Sequence, residues 1–441
     1  MISEAYVWVH LPGDTKPTVC GLFSYKATVA GNVGTFVYGK SYLLNPDAIA
    51  LDPFALPLSP KDYLTTWLNG VFGTLSDAVP DDWGRYVIDK TRGHQEFPIG
   101  YMLNLLDDSI GNISFSGSPA IPPLQDEPIG IELVPHAREI LLDIEQGKPI
   151  PIELKDKIRP NTAMGGARPK LTVQYKDALW LAKFPSSKDN PAQPYAKLEA
   201  AMLLLAGKCR INAVDAEVVL GDVLLVRRFD RGLVKSESFG VPSQWRRDSF
   251  LSARTVLQSN PGSYANFARE LTRYSTDAKA DKEQLFRRMV FNVLISNTDD
   301  HDRNHGLLAD DIPGTYRLSP AYDLVPRLHG TIRHYHALAL GNGDSLATRE
   351  NLLADSEAFG LTNSQAESII QSVESGVSTH WRSCLLAQGL AAAEVESLRG
   401  CFAGLFDSKD AIQKALDDKS SSFLVVPGGP ANTGRKRTRK I

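Results

Sequence analysis

A chain of 441 residues is too long for one hydrophobic core and calls for roughly two to four compact units. With 43% hydrophobic and 22% charged residues, 34 Gly and 27 Pro, it falls outside the disordered and fibrous classes. A formal charge of −3 excludes a general attraction for nucleic acid or anionic membrane, so any such contact must be local.

The opening MISEAYVWVHLPGD has no basic stretch and meets Glu4 and Asp14 before any long apolar run, unlike a signal peptide. No run reaches the roughly 18 apolar residues of a spanning helix, and a cytoplasmic protein with no membrane partner is expected. Cys20, Cys209, Cys384 and Cys401 form no CxxC pair, which suggests reduced core residues rather than a disulfide framework or a zinc site.

Residues 1–120 read as β-rich, with runs at Ala5–Leu11, Thr18–Tyr25, Gly34–Gly39 and Ser41–Leu44 separated by turn signals such as Pro12-Gly13-Asp14. Helical pieces are expected around Lys61–Leu68 and Asp81–Lys90, and the Pro-rich stretch at 118–128 reads as a connector. A second unit, 121–232, has strands at Leu171–Tyr175 and Leu179–Phe184, a helix at Tyr195–Leu205, and strands at Ala216–Leu220 and Val223–Arg227. A third unit, 233–425, is expected to be helical, its best helix at 282–296 opened by an Asp281/Gln284 capping box. Leu285, Phe286, Met289, Val290, Val293 and Leu294 lie on one face of that helix, which should be buried. Residues 426–441 carry almost nothing to bury and read as a flexible basic tail.

The chemistry concentrates after the 282–296 helix, in Ser296-Asn297-Thr298-Asp299-Asp300-His301-Asp302-Arg303-Asn304-His305. Asp299 and Asn304 have the Asp-x-x-x-x-Asn spacing of a kinase catalytic loop, in which the Asp accepts the hydroxyl proton and the Asn oxygen ligates Mg²⁺. Asp323, in Leu318-Ser319-Pro320-Ala321-Tyr322-Asp323, supplies a second hard oxygen ligand. Lys183, a lone cation between apolar neighbours in a strand, is the candidate for the ATP phosphates, with Glu199 on the next helix as its ion-pair partner. Met164-Gly165-Gly166-Ala167-Arg168-Pro169-Lys170 is the candidate phosphate cover, because paired glycines permit close backbone approach to an anion. Each piece alone has a bland reading: a turn, an edge lysine, a capped helix end. His301 and His305 could also be read as metal ligands at i, i+4, but no Cys or carboxylate cluster completes a zinc set. The order of the pieces is the specific signal, since it reproduces the chain order of kinase parts.

At these residues the chain resembles the HipA family of toxin kinases over nearly its whole length. Leu51-Asp52-Pro53-Phe54 and Phe72-Gly73-Thr74-Leu75-Ser76-Asp77 through Arg85 are similar to the family's N-terminal subdomain, and MGGARPK to its Gly loop. Val226-Arg227-Arg228-Phe229-Asp230-Arg231 is similar to its hinge, and NTDDHDRN and LSPAYDLVP to its catalytic and metal motifs. The resemblance implies an α+β, two-lobed protein-kinase-like fold with an extra N-terminal subdomain and an all-helical C-terminal lobe. It also implies a Ser/Thr protein kinase using ATP and Mg²⁺, with Gly165, Gly166, Ala167, Arg168, Lys183, Phe229 and His301 on the nucleotide side. Adenine would sit near Phe229. Implied partners are a protein substrate such as a glutamyl-tRNA synthetase or another translation component, a small helix-turn-helix antitoxin, and operator DNA through that antitoxin. Where the family has an autophosphorylated Ser, this chain has Ala163, beside Thr162. The reading from another class is a non-catalytic DNA-binding scaffold using Arg435–Lys440 of the tail.

Overall fold

The computed structural model describes residues 2–402 apart from 106–107, 125–126, 149–167, 191–192, 236–243, 260–261 and 329–334. Burial alternates along β2 (Pro17–Thr28) and β3 (Gly31–Tyr38), so one face of the sheet they form with β1 (Ile2–His10) is buried. Ala5, Val7, Phe23 and Phe36 are fully buried on it. With β4 (Tyr63–Thr65) and β5 (Ile113–Ser116) these strands form an antiparallel sheet of order β4-β3-β2-β1-β5. Gly34 lets the chain cross closely here, because a Cβ on it would lie 2.1 Å from the Gly70 carbonyl oxygen.

Two expectations in this region are corrected. Ser41–Leu44 is not a strand: α1 (Lys40–Leu43) turns Tyr42 inward, where its ring stacks on Tyr38 and its hydroxyl donates to the Ile49 carbonyl at 2.9 Å. Lys61–Leu68 is not a helix either. Tyr63 aligns with Phe36 as part of edge strand β4, and positive φ at Leu68 and Asn69 turns the chain directly afterwards.

Helix α2 (Gly73–Asp77) then leads to α3 (Asp82–Arg92) and α4 (Ile99–Leu103). Asp81 caps α3 by accepting from the Gly84 N–H at 3.1 Å, satisfying one of its free donors. The second sheet has the order β6-β7-β8-β10-β9, built from β6 (Ile129–Gly130), β7 (Lys170–Tyr175), β8 (Ala178–Lys183), β9 (Ala216–Val219) and β10 (Val223–Arg227). Trp83 and Val87 of α3 and Ala137, Ile140 and Leu141 of α5 (Val134–Glu145) pack against Val173, Trp180, Ala182 and Leu225. Helix α6 (Tyr195–Lys208) covers the opposite face, where Leu198 and Leu205 join Leu224 and Val226 in the large C-terminal core. Beyond β10, β11 (Arg231–Val234) and β12 (Gln244–Arg247) form a two-stranded ribbon.

That C-terminal core is mostly helical: α7 (Ala253–Leu257), α8 (Tyr264–Tyr274), α9 (Ala278–Leu294), α10 (Arg349–Ala354) and α11 (Asn363–Ala387) contribute to it. The expectation of a purely helical lobe is corrected by a three-stranded sheet of β13 (Phe250–Ser252), β14 (Gly306–Ala309) and β15 (Tyr316–Leu318). All six apolar residues expected on one face of α9 are buried, each worth roughly 1.5–3 kcal/mol. Its cap differs from expectation. Asp277 accepts from the Ala280 N–H, while Asp281 is withdrawn to bind Arg317 and the Leu318 N–H, and Gln284 to bind Asn212 and Arg210. All four cysteines are buried free thiols.

Candidate functional site

The rigid part of the site is the turn after α9. Ser296 takes a positive φ of 56°, and its hydroxyl donates to the Cys401 carbonyl at 3.0 Å. The Asn297 side chain donates to Asn292, whose own amide donates to the Tyr264 hydroxyl, both at 3.1 Å. Asp300 is buried, bound by His305 Nε2 at 2.9 Å and by the Tyr264 hydroxyl. Burial alone would raise its pKa, but His305 and these hydrogen bonds hold it lowered. Asp302 is buried too and accepts from Arg254 Nε at 2.9 Å. Acidic residues interleaved with the motif therefore anchor it, which leaves Asp299 exposed at the surface of the turn.

Asn304 Nδ2 donates to the Asp299 carbonyl at 3.4 Å, which turns its Oδ1 away from that bond and leaves it available to a cation. Asp299 Oδ2 is held by Arg327 Nη2 at 2.5 Å, an ion pair with both side chains more than half exposed. His301 accepts the Arg303 N–H on Nδ1 at 3.3 Å, whereas His305 is turned into the core against Asp300. The two histidines do not converge, so the i, i+4 metal pair is ruled out. No cluster of three or more His, Cys, Asp or Glu suited to a metal occurs among the described residues.

Asp323 sits at φ 58°, an uncommon conformation for a non-glycine residue and one often stored at functional sites. The Ala321 carbonyl accepts from Val214 and the Ala321 N–H donates to Asn212, and the Tyr322 hydroxyl donates to the Arg303 carbonyl at 2.8 Å. These bonds fix the segment between the sheet and the Asp299 turn. Lys183 on β8 bridges two carboxylates, reaching Glu199 Oε1 of α6 at 2.7 Å and Asp323 Oδ1 at 2.8 Å. The expected Lys183 to Glu199 pair is thus formed, and Asp323 joins it. Lys183 foremost, against the cost of burial, lowers the Asp323 carboxyl to about 2, with His301 and Lys170 adding to the effect. Burial by itself would lower Lys183, but Asp323 and Glu199 outweigh it and keep the ammonium charged. Burial raises Glu199, only partly offset by Lys183.

Lys170 was legible only as the end of the glycine segment, yet it lies directly across from Lys183 in the β7/β8 pairing and is buried. Its Nζ approaches Asp81 Oδ2 at 3.5 Å. Burial lowers its pKa, while Asp81 acts in the opposite direction. Asp77 accepts from the Ser252 N–H and the Thr255 hydroxyl at 2.8 Å and from the Ser252 hydroxyl at 2.6 Å. Arg303, next to Asn304, donates to Ser76 at 3.4 Å. The α2–α3 segment thus touches both β7 and the Asp299 turn. A lysine recurring in cross-strand register, and acids at helix termini, were the only signals in the sequence.

Phe229 follows β10 with its ring 5.5 Å from that of Tyr322 and 5.9 Å from that of Phe250. Flanking it, Arg228, Arg231 and Arg247 are buried around Asp230 and the carbonyls of Ser109, Gly111 and Ile113. Arg168 is committed to Asp189 and stacks over Tyr195 at 3.9 Å. Gly165, Gly166 and Ala167, with Thr162 and Ala163, lie outside the described residues, as does the basic tail.

A strand lysine joined to a helix glutamate and to a loop carboxylate, above a turn bearing Asp and Asn, belongs to the protein-kinase-like class of fold. Residues 162–381 match the family described as the HipA-like C-terminal domain, and that part of the chain belongs to it. The serine/threonine-protein kinase toxin HipA of Shewanella oneidensis is 26% identical over 297 residues, which are 61% of this chain and 66% of that protein. A provisionally named kinase of Sinorhizobium fredii, Y4dM, is 26% identical over 270 residues, 56% of this chain and 60% of its own length. The chain thus spans slightly less than two thirds of the curated relatives it matches. The solved S. oneidensis HipA, in its complex with HipB and operator DNA, has the same fold, with a TM-score of 0.63 and 17% identity over 91% of this chain and 95% of that one. Among the described residues no helix is long and apolar enough to cross a membrane.

Proposed function

We propose that the chain is a toxin-type serine/threonine protein kinase. The observation that carries this reading is Lys183 spanning Glu199 and Asp323, at 2.7 and 2.8 Å, beside a turn that presents Asp299 and Asn304. Asp323 and Asn304 would hold Mg²⁺, and the residues fit it: one carboxylate kept ionised and one amide oxygen, both hard donors. When bound, Mg²⁺-ATP supplies the transferable phosphoryl group and neutralises the charge that develops on it. Lys183 binds phosphate oxygens, Glu199 keeps its ammonium on station, and Asp299 accepts the proton of the attacking hydroxyl. Phe229 would border the adenine, His301 and the Gly165–Arg168 backbone the phosphates. For Asp299 to take a hydroxyl on Oδ2, the Arg327 pair must open.

In this reading the chain acts in the cytoplasm on a cellular protein and inhibits growth, with a small antitoxin as partner and operator DNA reached through it; the toxin name of one relative and the HipA, HipB and operator DNA complex of another support the toxin and partner parts. The deciding experiment is phosphate transfer from γ-labelled ATP by the purified chain and by Asp299→Ala. Transfer by wild type, lost in the variant while ATP still binds, is expected. Wild-type transfer by Asp299→Ala would refute the base assignment.

A further inference from the structure

Helix α9, which delivers the catalytic turn, carries Arg288 on its buried face, 1% exposed. Its Nη2 donates to the Ser319 carbonyl. Among the described residues Nε and Nη1 find no acceptor, so three of the five guanidinium N–H groups are unpaired. Two carboxylates act on it through space, Asp281 and Asp300, but neither hydrogen-bonds to it and each is engaged by other donors. Asp281 accepts from Ser275, Leu318 and both Arg317 nitrogens Nε and Nη2; Asp300 accepts from His305 and Tyr264. Burial therefore outweighs the through-space attraction of Tyr322, Asp281, Tyr264 and Asp300 and lowers its pKa to about 10, so the cation is only partly compensated.

Arg288 lines a cavity of about 220 Å³ together with Asn212, Ala280, Asp281, Gln284 and Arg317. Asn212 and Ala280 are exposed at its mouth, so the cavity communicates with solvent. Two guanidiniums against one carboxylate give the wall a formal charge of +1. At about 30 Å³ per water, the space takes a small ion with several waters. Gln284 is already committed to Asn212 and Arg210, which leaves the guanidiniums as the attractive groups. The Asn212 carbonyl accepts from Ala321 and Arg288 from its side holds Ser319, so the cavity backs directly onto the segment that ends in Asp323.

We propose that this cavity is a second anion site, separate from the nucleotide site, which takes one small oxyanion of the inorganic phosphate type on Arg288 and Arg317. A tetrahedral oxyanion matches unpaired guanidinium donors that no backbone carbonyl reaches.

The test is calorimetric titration of the full chain with inorganic phosphate, with sodium chloride at matched ionic strength as control. Wild type should bind one phosphate saturably, and Arg288→Met should bind on the order of tenfold more weakly or not at all. Because Arg288→Met removes a buried side chain, Ala280→Trp provides a second variant that closes the mouth from an exposed position and should lose the event equally. Lys183→Met should keep it, which makes the result independent of the kinase reading. The proposal is overturned if phosphate gives no more than the chloride control, in which case the cavity holds water, or if the event survives Ala280→Trp and disappears in Lys183→Met.

Discussion

At the residue scale, Asp323 combines an unusual backbone conformation with a carboxylate kept charged by Lys183. Asp323→Ala should weaken Mg²⁺-ATP binding at least about tenfold, since the bound cation would lose its charged oxygen ligand. Unchanged affinity by calorimetry would remove Asp323 from the metal. Arg327 poses a different question, because it occupies Oδ2 of the proposed base. Exposed ion pairs are worth about 0.2–1 kcal/mol, so Arg327→Gln should raise transfer to a protein substrate by no more than about fivefold. Raised salt should shrink the difference, as screening weakens the pair in wild type. A tenfold fall in kcat would instead place Arg327 on the substrate or the phosphate.

At the scale of elements, α2 is joined to β13 and α7 through Asp77, which serves Ser252 and Thr255 by three hydrogen bonds. Gly73 allows the approach, since a Cβ there would lie 2.8 Å from the Thr255 hydroxyl oxygen. Asp77→Ala leaves the Ser252 N–H without its acceptor and should cost about 1–3 kcal/mol, read as a lower urea midpoint with little change in slope. A midpoint equal to wild type would mean the joint adds nothing. Such joints explain how far the sequence could be read. The second sheet and α6 were legible because Leu179–Phe184 and Tyr195–Leu205 are strongly patterned and bounded by turns. The Asp299 turn was legible as a candidate because Asp299 and Asn304 stand four residues apart in a dense polar run directly after a patterned helix. Tyr42, Lys170 and Asp77 were not, because each is placed by a distant partner: a stacked tyrosine, a cross-strand lysine, a strand end 175 residues away. The supposed cap at Asp281 failed for the same reason, since Arg317 and Leu318 draw that carboxylate away from the helix end.

For the whole molecule, buried charge ties the parts together and sets the response to acid. Asp230 lies among Arg228, Arg231 and the Gly111 N–H; burial would raise its pKa, but the two arginines hold it far below the usual range. A carboxylate depressed in the folded state contributes stability above its unfolded value, near about 3.9, and loses it as pH falls through the folded value. Asp300 and Asp323 act in the same sense. Asp77, Asp81 and Glu199, raised by burial, act in the opposite sense and favour folding as they protonate. Urea midpoints should therefore change little from neutral pH to about 4.5 and fall below about 4; a midpoint that kept rising at pH 3 would show that the arginine cluster is not what holds the parts together. The distances along the chain bridged by these contacts bear on synthesis. Gly111 meets Asp230 across 119 residues, Asp77 meets Ser252 across 175, and Ser76 meets Arg303 across 227. During translation the first sheet can close on itself, because β1 through β5 are made early, but these joints must wait for the loop, strand and turn that carry Asp230, Ser252 and Arg303. Acids, hydroxyls and carbonyls make up those joints, so what waits at the ribosome is a hydrated surface, which resists the sticking that an apolar one would invite.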